Sequence, residues 1–330
     1  MRTPGPDTDA AIRLPAVAGT FYPADPARLG KMVATLLAGA TAHAGAGEAA
    51  SRAGAGSEAG VTAGTRVSVG TGAGTVASAG PGSPLGILVP HAGLAYSGLV
   101  AASGWRLVPD GATVVLLGTN HTAAWLNGVG AWETGRWRTP LGDVAVDAAL
   151  ASEILALGLP FGSDRAAHLD EHSIEVQLPL LWAAAPTVRI VPLSVGAGTG
   201  TGAIAAGERL GTLLAHRRAA GASIVLAIST DMAHYPPADA CARVTQALLP
   251  SIVGLLPEEL ARAEETIGRG TGAGPGMACG MCGIEPAVLG LAALRAMGAT
   301  SGVALATATS ADAGADPRRT VGYVSVTFGG

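Results

Sequence analysis

The chain is poor in the residues that most often announce a function. Among 330 residues only 3 are cysteines, too few for a disulfide framework. Charged side chains make up 13% and aromatics 4%, and the formal net charge is −4. That balance gives no electrostatic case for nucleic acid or an anionic membrane surface as a partner. No apolar run approaches the roughly 20 residues that span a bilayer. The opening segment, Met1 to Asp7, also lacks the apolar core of a signal peptide. From these absences we expect a soluble, cytoplasmic protein.

What the chain does contain is organised. At 32.3 kDa it is long enough for one large α/β domain or two smaller ones. Apolar runs at 86–89, 113–117, 188–195, 223–229, 303–309 and 321–328 read as buried strands. Helical spacing is found over 147–157, 203–216, 240–249, 257–267 and 285–297. Such alternation predicts an α/β sheet with helices on both faces. Ahead of it, Arg13 to Pro23 holds the first two aromatics between prolines and reads as an ordered arm packed on the domain. Asp25-Pro26 then opens a helix with Leu29, Met32, Val33, Leu36 and Leu37 on its apolar side. From 38 to 84 the sequence turns to repeated Gly, Ala, Ser and Thr, too little apolar surface to offset ordering entropy. We therefore expect an N-terminal arm and first helix (1–37), a flexible insertion (38–84) holding a functionless His43, and a main α/β domain (85–330), with the arm and main region forming one domain.

Three strands run directly into a histidine. The strand at 86–89 ends in Pro90-His91, the strand at 113–117 leads to Asn120-His121, and the strand at 223–229 leads to Asp231 and His234. One histidine at a strand end is ordinarily a hydrogen-bonded structural residue. Three of them, at the carboxyl edge where open α/β sheets bind ligands, point to a shared cavity. Glu171-His172 and the pair Cys279/Cys282 supply further candidate groups. Two imidazoles with one thiolate or carboxylate make a three-ligand metal site with open positions, suited to iron, copper or zinc. An unligated His234, oriented by Asp231, then serves as general base or anion donor. The remaining polar residues have plainer readings. His168 is expected in a surface loop, His216 at a helix end, Cys241 as a small core residue, and Ser173 or Glu171 as a cap for a helix beginning near Ile174.

Six blocks, in order, resemble one family: Arg13 to Pro23 (RLPAVAGTFYP), Val89 to Gly98 (VPHAGLAYSG), Leu117 to His121 (LGTNH), Asp170 to Pro179 (DEHSIEVQLP), Ser229 to Tyr235 (STDMAHY), and Cys282 to Pro286 (CGIEP). By these motifs the chain is identified as similar to the Memo family, whose prokaryotic members are called AmmeMemoRadiSam system protein B. The resemblance implies a fold like that of class III extradiol dioxygenases, a single α/β domain with a central mixed, mostly parallel sheet flanked by helices. It implies a pocket lined by His91, His121 and Cys282 as metal ligands, with Asp231 and His234 beside them, and it leaves Cys279 as an extra thiol. His172, Asn120 and Tyr96 are secondary pocket candidates. Thiolate in place of the dioxygenase carboxylate implies an iron or copper redox centre, with zinc as a further option. The family name implies radical-SAM and AMMECR1-like proteins as partners, with a small molecule or peptide as substrate. Two other readings stay open: a non-catalytic pocket that binds a peptide or protein, and a metal-free thiol enzyme using Cys282 with a histidine base.

Overall fold

Every apolar run marked as buried becomes a strand of one sheet. The computed structural model describes residues 11–53, 83–197, 202–268 and 276–330, with the side chains of 42–53 excepted. In chain order these form β1 (Ile12–Arg13), α1 (Pro26–Ala53), β2 (Gly86–Val89), α2 (Leu94–Trp105), β3 (Thr113–Thr119), β4 (Val129–Ala131), β5 (Arg136–Thr139) and β6 (Gly142–Val146). There follow α3 (Ala148–Leu155), β7 (Phe161–Ser163), α4 (Ala166–Leu169), α5 (Leu178–Ala184), β8 (Arg189–Val195), α6 (Ala203–Ala219) and β9 (Ile224–Ser229). The chain closes with α7 (Ala238–Val253), α8 (Pro257–Thr266), α9 (Ile284–Ala296), β10 (Ser301–Thr309) and β11 (Gly322–Gly329).

The sheet runs β1-β5-β6-β8-β3-β9-β2-β11-β10, with β4 and β7 attached beside β8. Its centre, β8-β3-β9-β2, is parallel throughout, and β11 and β10 add an antiparallel edge. This is the single-domain, mixed and mostly parallel α/β architecture expected from the sequence. The central strands are continuous apolar runs because both of their faces are covered. Alternate residues divide between two cores: Val115, Leu117, Leu226 and Ile228 face the side of α6, α7 and α9. Val114, Leu116, Val225 and Ala227 face the side of α1, α2 and α5. Among the described residues, no helix is long and apolar enough to cross a membrane.

Three local expectations need correction or extension. His168 is not on the surface. It lies in α4 with no exposed area, donates from Nε2 to the Gly130 carbonyl at 2.9 Å, and packs edge-on against Trp132 and Trp137. The segment after Ile174 opens with a 3-10 turn, Glu175–Gln177, and neither Ser173 nor Glu171 caps it. The first helix continues to Ala53, past the last large apolar residue of its stripe, as an alanine-rich sequence permits. The expected insertion lies outside the described residues from 54 to 82.

Candidate metal centre

The carboxyl ends of β2, β3 and β9 lie side by side, so the residues that follow them share one edge of the sheet. His91 follows β2 after Pro90, His121 follows β3 after Asn120, and Asp231 follows β9 after Thr230. Cys282 arrives from the far end of the chain, immediately before α9, where the N–H dipoles of a helix N-terminus favour negative charge. Its loop is laced to the β9 edge. The Cys282 N–H donates to the Asp231 carbonyl at 3.2 Å, the His234 N–H to the Cys279 carbonyl at 3.1 Å, and the Gly283 N–H to Thr230 Oγ1 at 2.9 Å. Gly283 is required here, because a Cβ would run into Thr119 and Thr230. Gly118 plays the same part on β3, where a Cβ would overlap Ile174 and keep the Glu171-His172 segment off the strand end.

These elements bring three ligand atoms together. One from each of His91, His121 and Cys282 lies within 4.8 Å of the other two. Cys282 Sγ is 3.3 Å from His91 Nε2, a contact that spans 191 positions of sequence. The His91 and His121 rings meet edge to face with centroids 5.2 Å apart. Glu171 orients His121: its carboxylate accepts the His121 N–H at 2.5 Å and bonds Nδ1 at 3.0 Å. An ionised carboxylate only accepts, so Nδ1 carries the proton and Nε2 is the nitrogen left for a ligand. The same carboxylate accepts the N–H groups of His172 and Ser173.

His172 stacks on His121 at 4.6 Å and stands 5.4 Å from His91, so it does line the cluster. Phe21, from the N-terminal arm, covers the His172 ring at 4.6 Å. Asp231 is buried, and its Oδ1 accepts the N–H groups of His91 at 2.7 Å and Ala92 at 3.2 Å. His234 Nε2 is buried, has no hydrogen-bond partner among the described residues, and lies 3.8 Å from Asp231 Oδ2. The chain turns sharply there, because the next residue, Tyr235, takes a left-handed conformation with φ 74°.

Burial dominates the electrostatics. It pushes the Cys282 thiol well above its ordinary range, with the Asp231 carboxylate adding to the effect. It pushes His91 well below its own, helped by the neighbouring His121 and His172. His234 and His172 are each lowered to about 4, again mainly by burial, and Asp231 is raised to about 7 by burial against its two backbone hydrogen bonds. Glu171 is the exception. Burial raises it, but the His121 hydrogen bond and the adjacent imidazoles outweigh that and bring it down to about 2.

Other candidates stay outside the cluster. Asn120 turns its side chain back on its own loop, donating to the Ala123 carbonyl at 2.8 Å and accepting the Ala123 N–H at 2.9 Å. Tyr96 is 49% exposed on the first turn of α2 and joins none of the ring contacts of the cluster. Cys279 meets the site through backbone hydrogen bonding to His234, and its thiol is raised to about 11 by burial and by Glu264. Cys241 is buried in α7, as expected of a small core residue. Glu171 is among the candidate groups of the sequence, but its role as the support of two imidazoles is not legible there, and Ser229, beside His91 Nδ1 at 3.1 Å, is not legible as a site residue. The one available signal was a hydroxyl ending an otherwise apolar strand.

An α/β protein with a His/His/Cys cluster at the carboxyl edge of parallel strands is a candidate metalloprotein. The chain belongs to the Memo-like protein family, which it matches over residues 74–327. It is 32% identical over 320 residues to a MEMO1 family protein of Methanopyrus kandleri, covering 96% of this chain and 98% of that one. It is also 32% identical over 321 residues to a MEMO1 family protein of Aquifex aeolicus, covering 96% and 99%.

Proposed function

We propose that this protein is a metal-dependent redox protein, or oxidoreductase, whose ion is held by His91, His121 and Cys282. The observation that carries the reading is their convergence, three ligand atoms within 4.8 Å of one another. The donor set fits the group. Two imidazoles and one thiolate suit iron or copper, with zinc as the redox-inert alternative. The buried, unpartnered Nε2 of His234 beside them is the kind of polar atom that a ligand in the pocket would satisfy.

A bound iron or copper ion would supply one-electron chemistry and a site for oxygen or a small substrate. The protein's own groups prepare for it. Glu171 holds His121 with Nε2 free, and the Asp231 N–H donates to Cys282 Sγ at 3.3 Å. His234 Nε2 faces the Asp231 carboxyl at 3.8 Å, a pair placed to accept or return a proton beside the cluster. Phe21 packs on the His172 ring on the arm side, and His172 stacks on His121.

The same burial weighs against a thiol enzyme. A thiol pushed up beside a histidine pushed down stays a neutral pair, with no thiolate for attack. A cation between them favours the deprotonated thiol and the neutral imidazole together. His91 is only 1% exposed among closely packed rings, which favours a small ligand over a peptide side chain. As partners we propose a radical-SAM protein and an AMMECR1-like protein acting in one modification pathway, on the strength of the family resemblance.

The test is metal content by mass spectrometry on protein purified without a nickel-binding tag, aerobically and anaerobically, beside His91→Ala and Cys282→Ala. Near-stoichiometric iron or copper in the parent protein, lost in both variants, is the expected result. Absence of metal from every preparation, with none taken up on reconstitution, overturns the reading.

A further inference from the structure

The cluster treats its two imidazoles differently. His121 is oriented by an anion, Glu171, whereas His91 meets a neutral hydroxyl: Ser229 Oγ lies 3.1 Å from His91 Nδ1. A hydroxyl can donate or accept, so this contact alone leaves the His91 tautomer undecided. The surrounding hydrogen bonds decide it. Trp105 Nε1 can only donate, and it donates to Gln177 Oε1 at 2.7 Å. That fixes the Gln177 amide, whose Nε2 then donates to the Pro90 carbonyl at 2.9 Å and to Ser229 Oγ at 2.9 Å. The single hydroxyl proton of Ser229 goes to the Ser173 carbonyl at 2.7 Å. With its proton spent and one lone pair taken by Gln177, Ser229 has only an acceptor left for His91. Nδ1 must therefore carry the proton, and Nε2 presents its lone pair towards Cys282 Sγ, 3.3 Å away.

Each end of the path is a group of one polarity, an indole at one and peptide carbonyls at the others, so no alternative direction satisfies all members. Trp105, Ser173 and Ser229 have no exposed area, and Gln177 and His91 are each 1% exposed, so water cannot reverse it.

We propose that Trp105, Gln177 and Ser229 form a one-way hydrogen-bond relay that locks His91 with Nδ1 protonated and Nε2 bare. They are positioning residues, and none is a metal ligand. In its consequence for binding, this deepens the metal-centre reading above and rests on it; the tautomer itself does not.

The experiment is long-range 1H–15N correlation spectroscopy on chelator-stripped, full-length protein labelled at histidine, with the His91 signals assigned by their loss in His91→Gln. Cobalt(II) titration follows on the same samples. In the parent protein His91 should be the Nδ1–H form. Ser229→Ala should move it to the Nε2–H form or a mixture and weaken cobalt affinity by about 10- to 100-fold, the usual cost of losing an outer-shell partner. Ser229→Thr, which keeps the hydroxyl, should restore both.

An Nε2–H His91 in the parent protein overturns the proposal, and that spectrum needs no variant to fold. A tautomer unchanged in a folded Ser229→Ala protein overturns it too. If the tautomer behaves as stated while the parent protein binds no cobalt, the relay stands and the metal-centre reading fails. The two failures are thus distinguishable.

Discussion

Two buried polar clusters lie a few residues apart in this molecule, and one is closed where the other is open. In the first, every nitrogen of Arg13 is used: Nε donates to the His168 carbonyl, one terminal nitrogen donates to Glu175 and Leu14, and the other to the carbonyls of His168 and Glu171. Glu175 in turn accepts from Arg13, from the N–H groups of Ala16 and Val17, and from the Tyr22 hydroxyl. The Arg13 guanidinium also stacks 4.6 Å from the Trp137 ring. Every Arg13 nitrogen and both Glu175 oxygens are thus spent within the protein, and of the rings around them only Trp137 Nε1 and His168 Nδ1 lack a partner among the described residues. In the second, His121 and His234 each keep a nitrogen without a hydrogen-bond partner among the described residues, and one ligand atom each from His91, His121 and Cys282 lie within 4.8 Å of one another. A saturated ion pair marks a cluster that holds the fold, and ligand atoms converging on a common focus mark one that holds something else. Glu171 belongs to both: its carbonyl accepts from Arg13 at 2.7 Å while its carboxylate holds His121.

If the closed cluster is purely structural, breaking it should cost stability and nothing else. Glu175→Ala strands a buried guanidinium and should lower unfolding free energy by about 3–5 kcal/mol in urea titrations. Metal bound per folded molecule should be unchanged. Altered stoichiometry in folded protein would erase the distinction between the clusters.

A pH titration sharpens the contrast. His168, at the edge of the closed cluster, is lowered from 6.5 to about 4, chiefly by burial. The unfolded chain takes up this proton near 6.5, whereas the folded one refuses it until about 4, so its stability contribution is complete above 6.5 and lost as pH falls through that window. At 1.36 kcal/mol per unit, the loss is on the order of 3 kcal/mol. His168→Phe should be less stable at pH 7, having lost the Gly130 hydrogen bond, but its urea midpoint should fall less between pH 6.5 and pH 4. Parallel pH curves for the two proteins would remove His168 from the account.

The smallest effect is expected at the shared residue. Glu171→Gln keeps the shape but loses the charge, and it should weaken cobalt binding by about 10- to 100-fold through His121. If affinity instead matches the parent protein, the carboxylate does not prepare His121 for a metal, and Glu171 serves the closed cluster alone, through its carbonyl.

The parts legible in the sequence were those that repeat. Central strands covered on both faces are unbroken apolar runs, so each end was visible, and a histidine after Val89, after Asn120 and after Ala233 was visible with it. What escaped depended on which atom faces which. Ser229 looks like the last residue of a strand, and only its neighbours make it an acceptor for His91. Glu171 reads both as a candidate group beside His172 and as a helix cap, and its distance from His121 in sequence hides the hydrogen bond at 3.0 Å that decides between them. His168 was read as surface because nothing in its own segment predicts two tryptophans arriving from the β4–β5 region to enclose it.

The contact between His91 and Cys282 bridges 191 positions, and this has a consequence for biosynthesis. A growing chain that has emerged as far as Asp231 already carries both imidazoles and the relay residues beside His91, but not the Cys282 thiol. The three-ligand centre comes into existence only after residue 282 has left the ribosome, with α9 behind it to seat the cysteine. Loading therefore waits for residue 282, and a chain that stops short of it has no complete centre.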